Sequence, residues 1–418
     1  MLERVPLLVK EIAAYEKAAG VDAVDELRRL AEPFQGARVL HVNATAYGGG
    51  VAELLGSVVP LMRDLGLEAE WHVIHGSDEF FGVTKGMHNA LQGAEIPWTF
   101  ESEETYLSKI RENALAFDDG EWDFVIIHDP QPAALLGFLE DGAVNRRGSA
   151  KWIWRCHIDL TDANPAVWEF LRPHVERHDA SVWTMPEFVP DSLKMDCVRM
   201  IPPAIDPLSV KNLGLERPFV DEICRQYGVD LSRPLMCQVS RFDPWKDPVG
   251  VIEAYQMARH EVPGLQLLLA GSMATDDPEG FHYWEITEEA AGGDADVHLL
   301  SNIQQVGSVQ INAFQRAADV IVQKSLREGF GLTVSEGLWK GRPVIGGDCG
   351  GIRIQIRDGE DGFLVSSVEE CARRTVELLH DHERADVMGA SGMEHVREQF
   401  LTTRLIADWL RLFGELSG

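Results

Sequence analysis

The chain lacks several features that define large classes of proteins. No apolar run approaches the roughly 18 residues that a membrane-spanning helix needs, and no apolar core of a signal peptide follows Met1–Pro6. The cysteines are scattered and form no Cys-x-x-Cys pair; they are Cys156, Cys197, Cys224, Cys237, Cys349 and Cys371. We therefore expect a cytoplasmic protein with reduced thiols, without a membrane segment and without structural zinc.

Positive charge is also scarce. The sequence contains 38 Lys and Arg against 67 Asp and Glu, which gives a formal net charge of −29. Such a surface repels nucleic-acid phosphates, so we expect no nucleic-acid partner. It favours high solubility and would suit a salty cytoplasm. An anionic small molecule would need a local group of cations to bind against this overall charge.

Two widespread motifs are missing. There is no Gly-x-Ser-x-Gly elbow, which argues against a serine hydrolase. The glycine run Gly48–Gly50 does not extend to Gly-x-Gly-x-x-Gly and has no acidic residue at the spacing of dinucleotide sites, which argues against NAD.

Apolar runs that alternate with helical stretches indicate parallel sheets covered by helices on both faces. The first set of candidate strands is Arg38–Val42, Ala69–Ile74, Asp123–His128, Lys151–Ile158, Ser181–Met185 and Val198–Pro202. The second set is Leu235–Ser240, Leu265–Ala270, Val297–Leu299, Val320–Gln323, Pro343–Ile345 and Gly362–Val365. Because 418 residues are many for one core, we predict an α/β protein with two doubly wound Rossmann-like domains and a cleft between them.

Three prolines in Ile201–Pro207 interrupt helix and strand alike and mark the border between the domains. We therefore predict a first domain of residues 1–206 and a second of residues 207–390. Residues 391–418 should form a helix, about Ala390–Phe413, that packs across the border. At the other end of the chain, residues 1–36 have the apolar spacing of an amphipathic helix, with Leu7, Leu8, Ile12 and Tyr15 on one face.

The stretch Glu328–Glu336, E-G-F-G-L-T-V-S-E, predicts a loop that becomes a helix. Gly329 and Gly331 allow a ligand close to the backbone, the free N–H groups of the helix start suit an anion, and Gly341 should end the helix. Glu328 precedes the turn and Glu336 should lie two turns into the helix, where carboxylates usually bind the uncharged part of a ligand. Taken alone, the two acids could equally be solvated residues of an ordinary turn.

Two further segments have the composition of a phosphate or sugar site. Gly48–Gly50 follow the first strand and open a helix, so their N–H groups could cradle a ligand, although a flexible turn would look the same. Arg241 and Lys246 follow the strand Leu235–Ser240 and together suit a diphosphate. We expect both of these side chains to face solvent.

Polar residues at two other strand ends admit more than one reading. His128 and Asp129, with His157 and Asp159, could be metal ligands, but they lie on different strands and no third His or Cys joins them at metal spacing. Hydrogen bonding to sugar hydroxyls needs the same groups. Asp294-Ala-Asp296 has the form of a metal motif of some glycosyltransferases, and we interpret it as a solvated turn. The sequence therefore predicts no metal site.

Five segments occur in an order that resembles one enzyme family: V-N-A-T-A-Y-G-G-G-V-A-E, H-D-P-Q-P-A-A, W-R-C-H-I-D-L, V-S-R-F-D-P-W-K and E-G-F-G-L-T-V. Together they are similar to trehalose glycosyltransferring synthases, retaining enzymes of the GT-B fold, over about residues 39–363. The Glu-x7-Glu and Arg/Lys elements mark the wider superfamily, and the first three segments are more specific. At Gly350–Ile356 the chain has Arg353-Ile354 where many relatives have Pro-Glu, so no role is carried over there.

The resemblance implies a role for each matching residue. The catalytic residues would be Arg241, Lys246, Glu328 and His157, with the two cations on the diphosphate and His157 against the donor sugar. The donor would also contact Gly329, Phe330, Gly331, Leu332, Gly49 and Gly50, and its ribose Glu336. The acceptor would contact Asn43, Gly48 and Asp129.

The implied activity is transfer of glucose from UDP-glucose or ADP-glucose to free glucose, giving α,α-trehalose with retention and without a metal or other cofactor. We expect a reversible reaction and a homodimer. A retaining trehalose phosphorylase and a catalytically silent sugar-nucleotide sensor are the alternatives; Glu336 argues against the first, and the joint presence of Arg241, Lys246, His157 and Glu328 against the second. The preferred base and the physiological direction stay open.

Overall fold

A computed structural model describes residues 2–117, 120–141, 146–271 and 278–418, without the side chains of Pro278 and Glu279. The chain forms two compact units. Unit 1 comprises Met1–Ala204 and Thr402–Gly418, and unit 2 comprises Ile205–Leu401. The sequence-based borders lie instead between residues 206 and 207 and between residues 390 and 391. No helix in the described ranges combines the length and the apolar character that crossing a bilayer requires.

Unit 1 is built on a seven-stranded sheet of order β1-β3-β2-β4-β5-β6-β7. Its strands are β1 (Glu3–Arg4), β2 (Arg38–Asn43), β3 (Glu68–Val73), β4 (Phe124–His128), β5 (Lys151–Arg155), β6 (Ala180–Trp183) and β7 (Val198–Met200). All neighbours run parallel except the short edge strand β1, which pairs antiparallel with β3.

Helices of unit 1 cover this sheet and enclose its core. They are α1 (Glu16–Ala19), α2 (Val21–Ala31), α3 (Gly49–Asp64), α4 (Asp78–Leu91), α5 (Phe100–Ala116), α6 (Leu135–Glu140), α7 (Pro165–Val175) and α15 (Thr402–Ser417). The last helix returns to unit 1, where Trp409 and Phe413 join a core cluster with Leu55 and Phe124.

Unit 2 has a six-stranded, wholly parallel sheet of order β10-β9-β8-β11-β12-β13. Its strands are β8 (Leu235–Val239), β9 (Gln266–Gly271), β10 (Val297–Ser301), β11 (Val320–Gln323), β12 (Val344–Gly347) and β13 (Gly362–Val365). Its helices are α8 (Arg217–Gln226), α9 (Pro248–Ala258), α10 (Pro278–Ala291), α11 (Ser308–Ala317), α12 (Leu332–Trp339), α13 (Val368–His380) and α14 (His382–Gln399).

All twelve strands predicted from apolar runs are present, within a few residues of their predicted limits. The largest difference is β5, which ends at Arg155 and not at Ile158. The predicted pair of parallel α/β domains is therefore correct, because buried parallel strands read as short uninterrupted apolar runs.

Both terminal helix predictions are wrong in their limits. Residues 5–11 contain no helix, and Leu8 is 85% exposed. Pro6 lies within this region, and Gly20, with a φ of 94°, separates α1 from α2. The predicted helix at about Ala390–Phe413 is two helices, since α14 ends at Gln399 and α15 begins at Thr402.

Each sheet has one place where the order of the strands reverses. In unit 1 it lies between β2 and β4, and in unit 2 between β8 and β11. The loops that follow two such strands diverge and leave a crevice at their carboxyl ends, which is where open α/β sheets bind ligands. The predicted site residues of both units lie at the ends of these four strands or follow them, except His157, which follows β5 next to β4.

Candidate active site

The loop after β11 and the start of α12 form the predicted anion site of unit 2. We call this segment, from Glu328 to Leu332, the anion loop. Gly331 is the N-cap of α12 with a φ of 83°, and no side chain caps the helix. Apart from that of Val334, which donates to Gly331 O at 2.9 Å, the N–H groups of the first turn are thus available to a ligand. The helix ends at Trp339, and Gly341 follows with a φ of 69°, as expected for a terminating glycine.

Gln355 holds this loop in place, although no sequence motif predicts this role. Its buried side-chain amide donates to the backbone oxygens of Phe330 and Gly351, the latter at 3.1 Å. Its oxygen accepts from the backbone N–H of Ser335 at 3.0 Å. Gly350 packs against the same loop, where a Cβ atom would overlap the carbonyl oxygen of Glu328.

The two predicted cations have different surroundings. Lys246 forms an ion pair with Glu328, and the two side chains are only 15% and 11% exposed. Arg241 is 69% exposed and lies 3.1 Å from Asp243. The expectation that both face solvent holds for Arg241 and is wrong for Lys246. The Lys246–Glu328 pair links the loops after β8 and β11, so an anion that binds Lys246 competes with Glu328.

A second lysine lies in the same place and was not predicted. Lys324 follows β11, is 5% exposed and pairs with Asp247. Asp247 has a φ of 48° and caps α9 by accepting from the N–H of Gly250 at 3.1 Å. Lys324 ends a buried strand, and its partner is distant in sequence, so no spacing pattern identifies it.

Glu336 is almost fully buried, at 1% exposure. It is the fifth residue of α12, so it lies little more than one turn into the helix and not two. Its Oε2 accepts from Gln315 at 3.4 Å, and Lys211 lies 3.8 Å from Oε1. Oε1 of Glu336 and Oε1 of Gln315 have no hydrogen-bond partner among the described residues. Two adjacent buried acceptors suit a ligand that brings hydroxyl groups.

In unit 1 the glycine loop follows β2. Gly48 and Gly49 have φ angles of 74° and 79°, and α3 begins at Gly49 without a side-chain cap. Asn43 fixes the loop, because its Oδ1 accepts from Trp71 Nε1 at 2.7 Å and its Nδ2 donates to Thr45 O at 2.8 Å. Its amide is therefore already engaged in the free protein.

Asp129 follows β4 in a strained conformation, with a φ of 65°. Its Oδ1 accepts from the backbone N–H of His157 at 2.8 Å. Burial raises its pKa to about 6, although that hydrogen bond and the nearby Arg155 lower it. Backbone strain and a charge that burial destabilises, both at one residue, are typical of functional positions.

His157, His128 and His41 form what we call the histidine chain. His128 Nδ1 lies 2.9 Å from His157 Nε2, and His128 Nε2 lies 3.0 Å from His41 Nδ1. The three histidines lie on a diagonal across the neighbouring strands. The strand register explains this, since His41 pairs with Ile126 and His128 with Arg155. Burial, with the neighbouring rings and Arg155, holds the pKa of His128 well below its usual value. The other two rings behave likewise, and the pKa of His41 falls to about 3.

The remaining polar candidates have structural partners. Asp159 accepts from the backbone N–H and the hydroxyl of Thr161. Asp294 and Asp296 lie at the turn before β10, as interpreted, and their partly exposed carboxylates form ion pairs with Arg259 and Arg233. Among the described side chains, no group of three or more His, Cys, Asp or Glu could hold a metal ion.

A cavity of about 800 Å³ in unit 1 lies elsewhere, at the amino ends of β4 and β5. Asp123, Lys151 and Phe34 line it, and none of the predicted site residues do. Because ligands of such sheets bind at the carboxyl ends of the strands, the histidine chain and the anion loop remain the better candidates.

Comparison with known proteins shows the family of the chain. Residues 41–190 match the N-terminal domain of trehalose synthase, and residues 219–395 match the glycosyl transferases of group 1. A trehalose synthase of Rubrobacter xylanophilus is 50% identical over 100% of both chains. The chain belongs to the trehalose synthase family.

The family model for residues 219–395 places the chain among the glycosyl transferases, and other relatives extend the comparison. The trehalose synthase of Pyrococcus horikoshii is 46% identical over 98% of this chain and 97% of its own. A trehalose phosphorylase of Grifola frondosa is 26% identical over 97% of this chain and 61% of its own length. In structure, a sucrose-phosphate synthase of Thermosynechococcus elongatus has a TM-score of 0.71 at 18% identity, over 91% of this chain and 99% of its own. The trehalose synthase fold is thus GT-B, as predicted.

Proposed function

We propose that this trehalose synthase transfers glucose from a nucleoside diphosphate glucose to free glucose and forms α,α-trehalose with retention. The observation that carries the proposal is the combination of an anion loop, flanked by cations, with the buried and incompletely paired carboxylate of Glu336. The loop suits a diphosphate, and the carboxylate suits the hydroxyls of a ribose.

The donor is assigned to residues of unit 2. Arg241 and Lys246 take the diphosphate together with the N–H groups of Gly329–Leu332. Lys246 exchanges Glu328 for the phosphate, which frees the Glu328 carboxylate to accept hydrogen bonds from glucose hydroxyls. Glu336 and Gln315 accept from the ribose.

Residues of unit 1 are assigned to the sugars. His157 contacts the donor sugar, while Asp129, Asn43 and Gly48 contact the acceptor, and Gly49 and Gly50 offer N–H groups to the donor. Asp129 reaches the acceptor through the oxygen that His157 does not occupy. Its raised pKa makes it a stronger proton acceptor than an ordinary aspartate, which suits a hydrogen bond from a hydroxyl.

In the proposed reaction the bond between glucose and diphosphate breaks first and leaves oxocarbenium character on the sugar. Arg241 and Lys246 stabilise the charge that grows on the leaving phosphate. The same phosphate oxygen takes the proton of the attacking glucose hydroxyl, so the new bond forms on the face that the leaving group occupied. No protein nucleophile is required, unlike in ordinary retaining glycosidases.

The main rival is a phosphorylase that releases glucose 1-phosphate from trehalose. Inorganic phosphate could use the anion loop, but it has no group for Glu336 and Gln315. A buried acceptor without a donor costs about 1–3 kcal/mol, and a ribose would remove that cost. The nucleotide donor therefore explains more of the site than phosphate does.

One assay tests the proposal. Purified protein is incubated with glucose and, in turn, UDP-glucose, ADP-glucose or glucose 1-phosphate, and NMR identifies the product. We expect α,α-trehalose from at least one nucleotide donor, with activity retained after EDTA treatment because the cations and the loop already offset the diphosphate. Trehalose formed from glucose 1-phosphate alone would overturn the proposal in favour of the phosphorylase.

A further inference from the structure

The histidine chain connects the interior of unit 1 with the proposed sugar site. His41 and His128 are fully buried, at 0% and 1% exposure, whereas His157 is partly exposed. The planes of His41 and His128 differ by 25° with centroids 5.3 Å apart, and those of His128 and His157 by 16° with centroids 5.2 Å apart, so the rings meet edge to edge through their nitrogens. The two contacts fix the orientation of the rings, and each joins one nitrogen of a ring to one nitrogen of the next.

The chain can exist in only two arrangements of protons. Because the pKa of each ring is well below neutrality, each imidazole is neutral, with one N–H donor and one acceptor nitrogen. His128 uses both of its nitrogens in the chain. It must therefore donate to one neighbour and accept from the other, and both hydrogen bonds point in the same direction.

Because both hydrogen bonds point the same way, all three rings carry their proton on the same kind of nitrogen. If the bonds point towards His157, His41 Nδ1–H donates to His128, His128 Nδ1–H donates to His157, and His157 carries its proton on Nδ1. If they point inwards, every ring carries its proton on Nε2. The exposed end of the chain is thus determined by what stabilises the buried end.

The buried end favours the first arrangement. His41 Nε2 has no hydrogen-bond partner in the described part of the chain. In the inward arrangement it would be a buried N–H without an acceptor, and orphaned N–H groups are the rarer and costlier defect. The ring of Trp409 stands at 87° to His41 with centroids 6.3 Å apart, and an aromatic face is only a weak acceptor.

We propose that His41 and His128 are positioning residues that hold His157 as its Nδ1–H tautomer, so that its ring offers a hydrogen-bond donor to a sugar oxygen. That the ligand is a sugar rests on the proposed function, whereas the assignment of the His157 tautomer does not. Since the chain ends at a buried nitrogen, it fixes the orientation of His157 and does not conduct protons to solvent.

The tautomer is measured on the unliganded protein. Histidines labelled with ¹⁵N give distinct signals for protonated and unprotonated ring nitrogens in long-range ¹H–¹⁵N spectra at neutral pH. Loss of signals in His41→Phe, His128→Phe and His157→Phe assigns the three rings. We expect all three to be protonated on Nδ1 in the unsubstituted protein. Because the three tautomers are linked, assignment of one ring by one folded variant is enough, and an Nε2–H form of any of the three would overturn the inference.

His128→Phe tests the positioning role, because phenylalanine keeps a planar ring and removes both nitrogens. His157 should then shift towards Nε2–H, the form that the free histidine side chain prefers in water, and glucosyl transfer should fall about tenfold. His178→Phe is the control, since His178 is another buried histidine of unit 1 that bonds Val175 O at 3.1 Å, and it should change neither measurement.

The two measurements separate the possible failures. An unchanged His157 tautomer and full transfer in His128→Phe would refute the positioning role. The expected spectra in a protein that transfers no glucose from any nucleotide donor would support the tautomer assignment and count against the proposed function alone.

Discussion

Asp129 combines a left-handed backbone with a carboxyl whose pKa is raised to about 6 by burial. Asn tolerates that backbone equally well and can still accept the N–H of His157. A raised pKa means that the folded state favours the protonated acid, so this contribution to stability is complete below pH 3.8 and is lost as the pH rises through about 6. Retention of an aspartate here therefore lowers stability at neutral pH.

Asp129→Asn should consequently raise the melting temperature at pH 7 while it lowers turnover. The rise in pKa from 3.8 to about 6 corresponds to at most about 3 kcal/mol. The gain should shrink towards zero at pH 4, as melting curves of both proteins from pH 4 to 8 would reveal. Asp191→Asn, at an exposed carboxylate, is the control. A variant less stable than the parent at pH 7 would show that the charge of Asp129 stabilises the fold.

Lys246 and Arg241 should have equal importance for catalysis and unequal importance for stability. Lys246→Ala and Arg241→Ala should each lower turnover on the order of 100-fold, the effect of losing one partner of a developing charge. Lys246→Ala should also lower the melting temperature, because it leaves Glu328 without its ion pair at 11% exposure. Arg233→Ala removes the ion pair with Asp296 and should leave turnover unchanged. Near-normal turnover in both site variants would place the diphosphate elsewhere.

Glu336 and Glu328 should affect different kinetic constants. Glu336→Gln removes the proposed ribose contact, far from the reacting bond, so it should raise the KM for the nucleotide donor more than it lowers kcat. Glu328→Gln should mainly lower kcat, because its proposed partners lie on the sugar whose charge changes. Steady-state kinetics of both variants decide this, and equal losses of kcat with unchanged KM would contradict the division of roles.

At the scale of secondary-structure elements, Asp247 joins the cap of α9 to the buried Lys324. Asp247→Asn keeps the cap and suits the φ of 48°, but it leaves Lys324 without a counter-charge at 5% exposure. Breaking a buried pair in this way costs about 3–5 kcal/mol, or roughly 6–20 °C in melting temperature for a unit of this size.

Two variants control this measurement of the melting temperature. Asp381→Asn changes the exposed N-cap of α14 in the same way and should have little effect. Adding Lys324→Met to Asp247→Asn should recover most of the loss, since the unpaired charge is then gone. If the double variant is as unstable as Asp247→Asn, the charge of Lys324 is not the cause.

The elements that the sequence predicted well are those with a local signal. The strand Val320–Gln323 has the predicted limits because its buried apolar residues are contiguous. Glu328 and Lys246 belong to recognisable motifs. Lys324 instead directly follows an apolar strand, and His41 interrupts one. Their partners lie 77 and 87 residues away, respectively. Only the register of the sheets brings these pairs together, and a single sequence does not contain it.

At the scale of the whole molecule, two electrostatic effects act on stability in opposite directions. The repulsion that accompanies the formal charge of −29 destabilises the fold, and the many surface ion pairs stabilise it. Salt weakens both, but exposed pairs contribute only about 0–1 kcal/mol each, whereas the repulsion acts between all uncompensated carboxylates. Raising KCl from about 10 to 500 mM shortens the Debye length from about 30 Å to about 4 Å and should therefore raise the melting temperature by several degrees. NaCl at equal ionic strength should give the same rise, because screening does not distinguish the two cations. A melting temperature that falls with either salt would mean that the local ion pairs outweigh the net repulsion, and one that rises with a single salt would indicate specific cation binding.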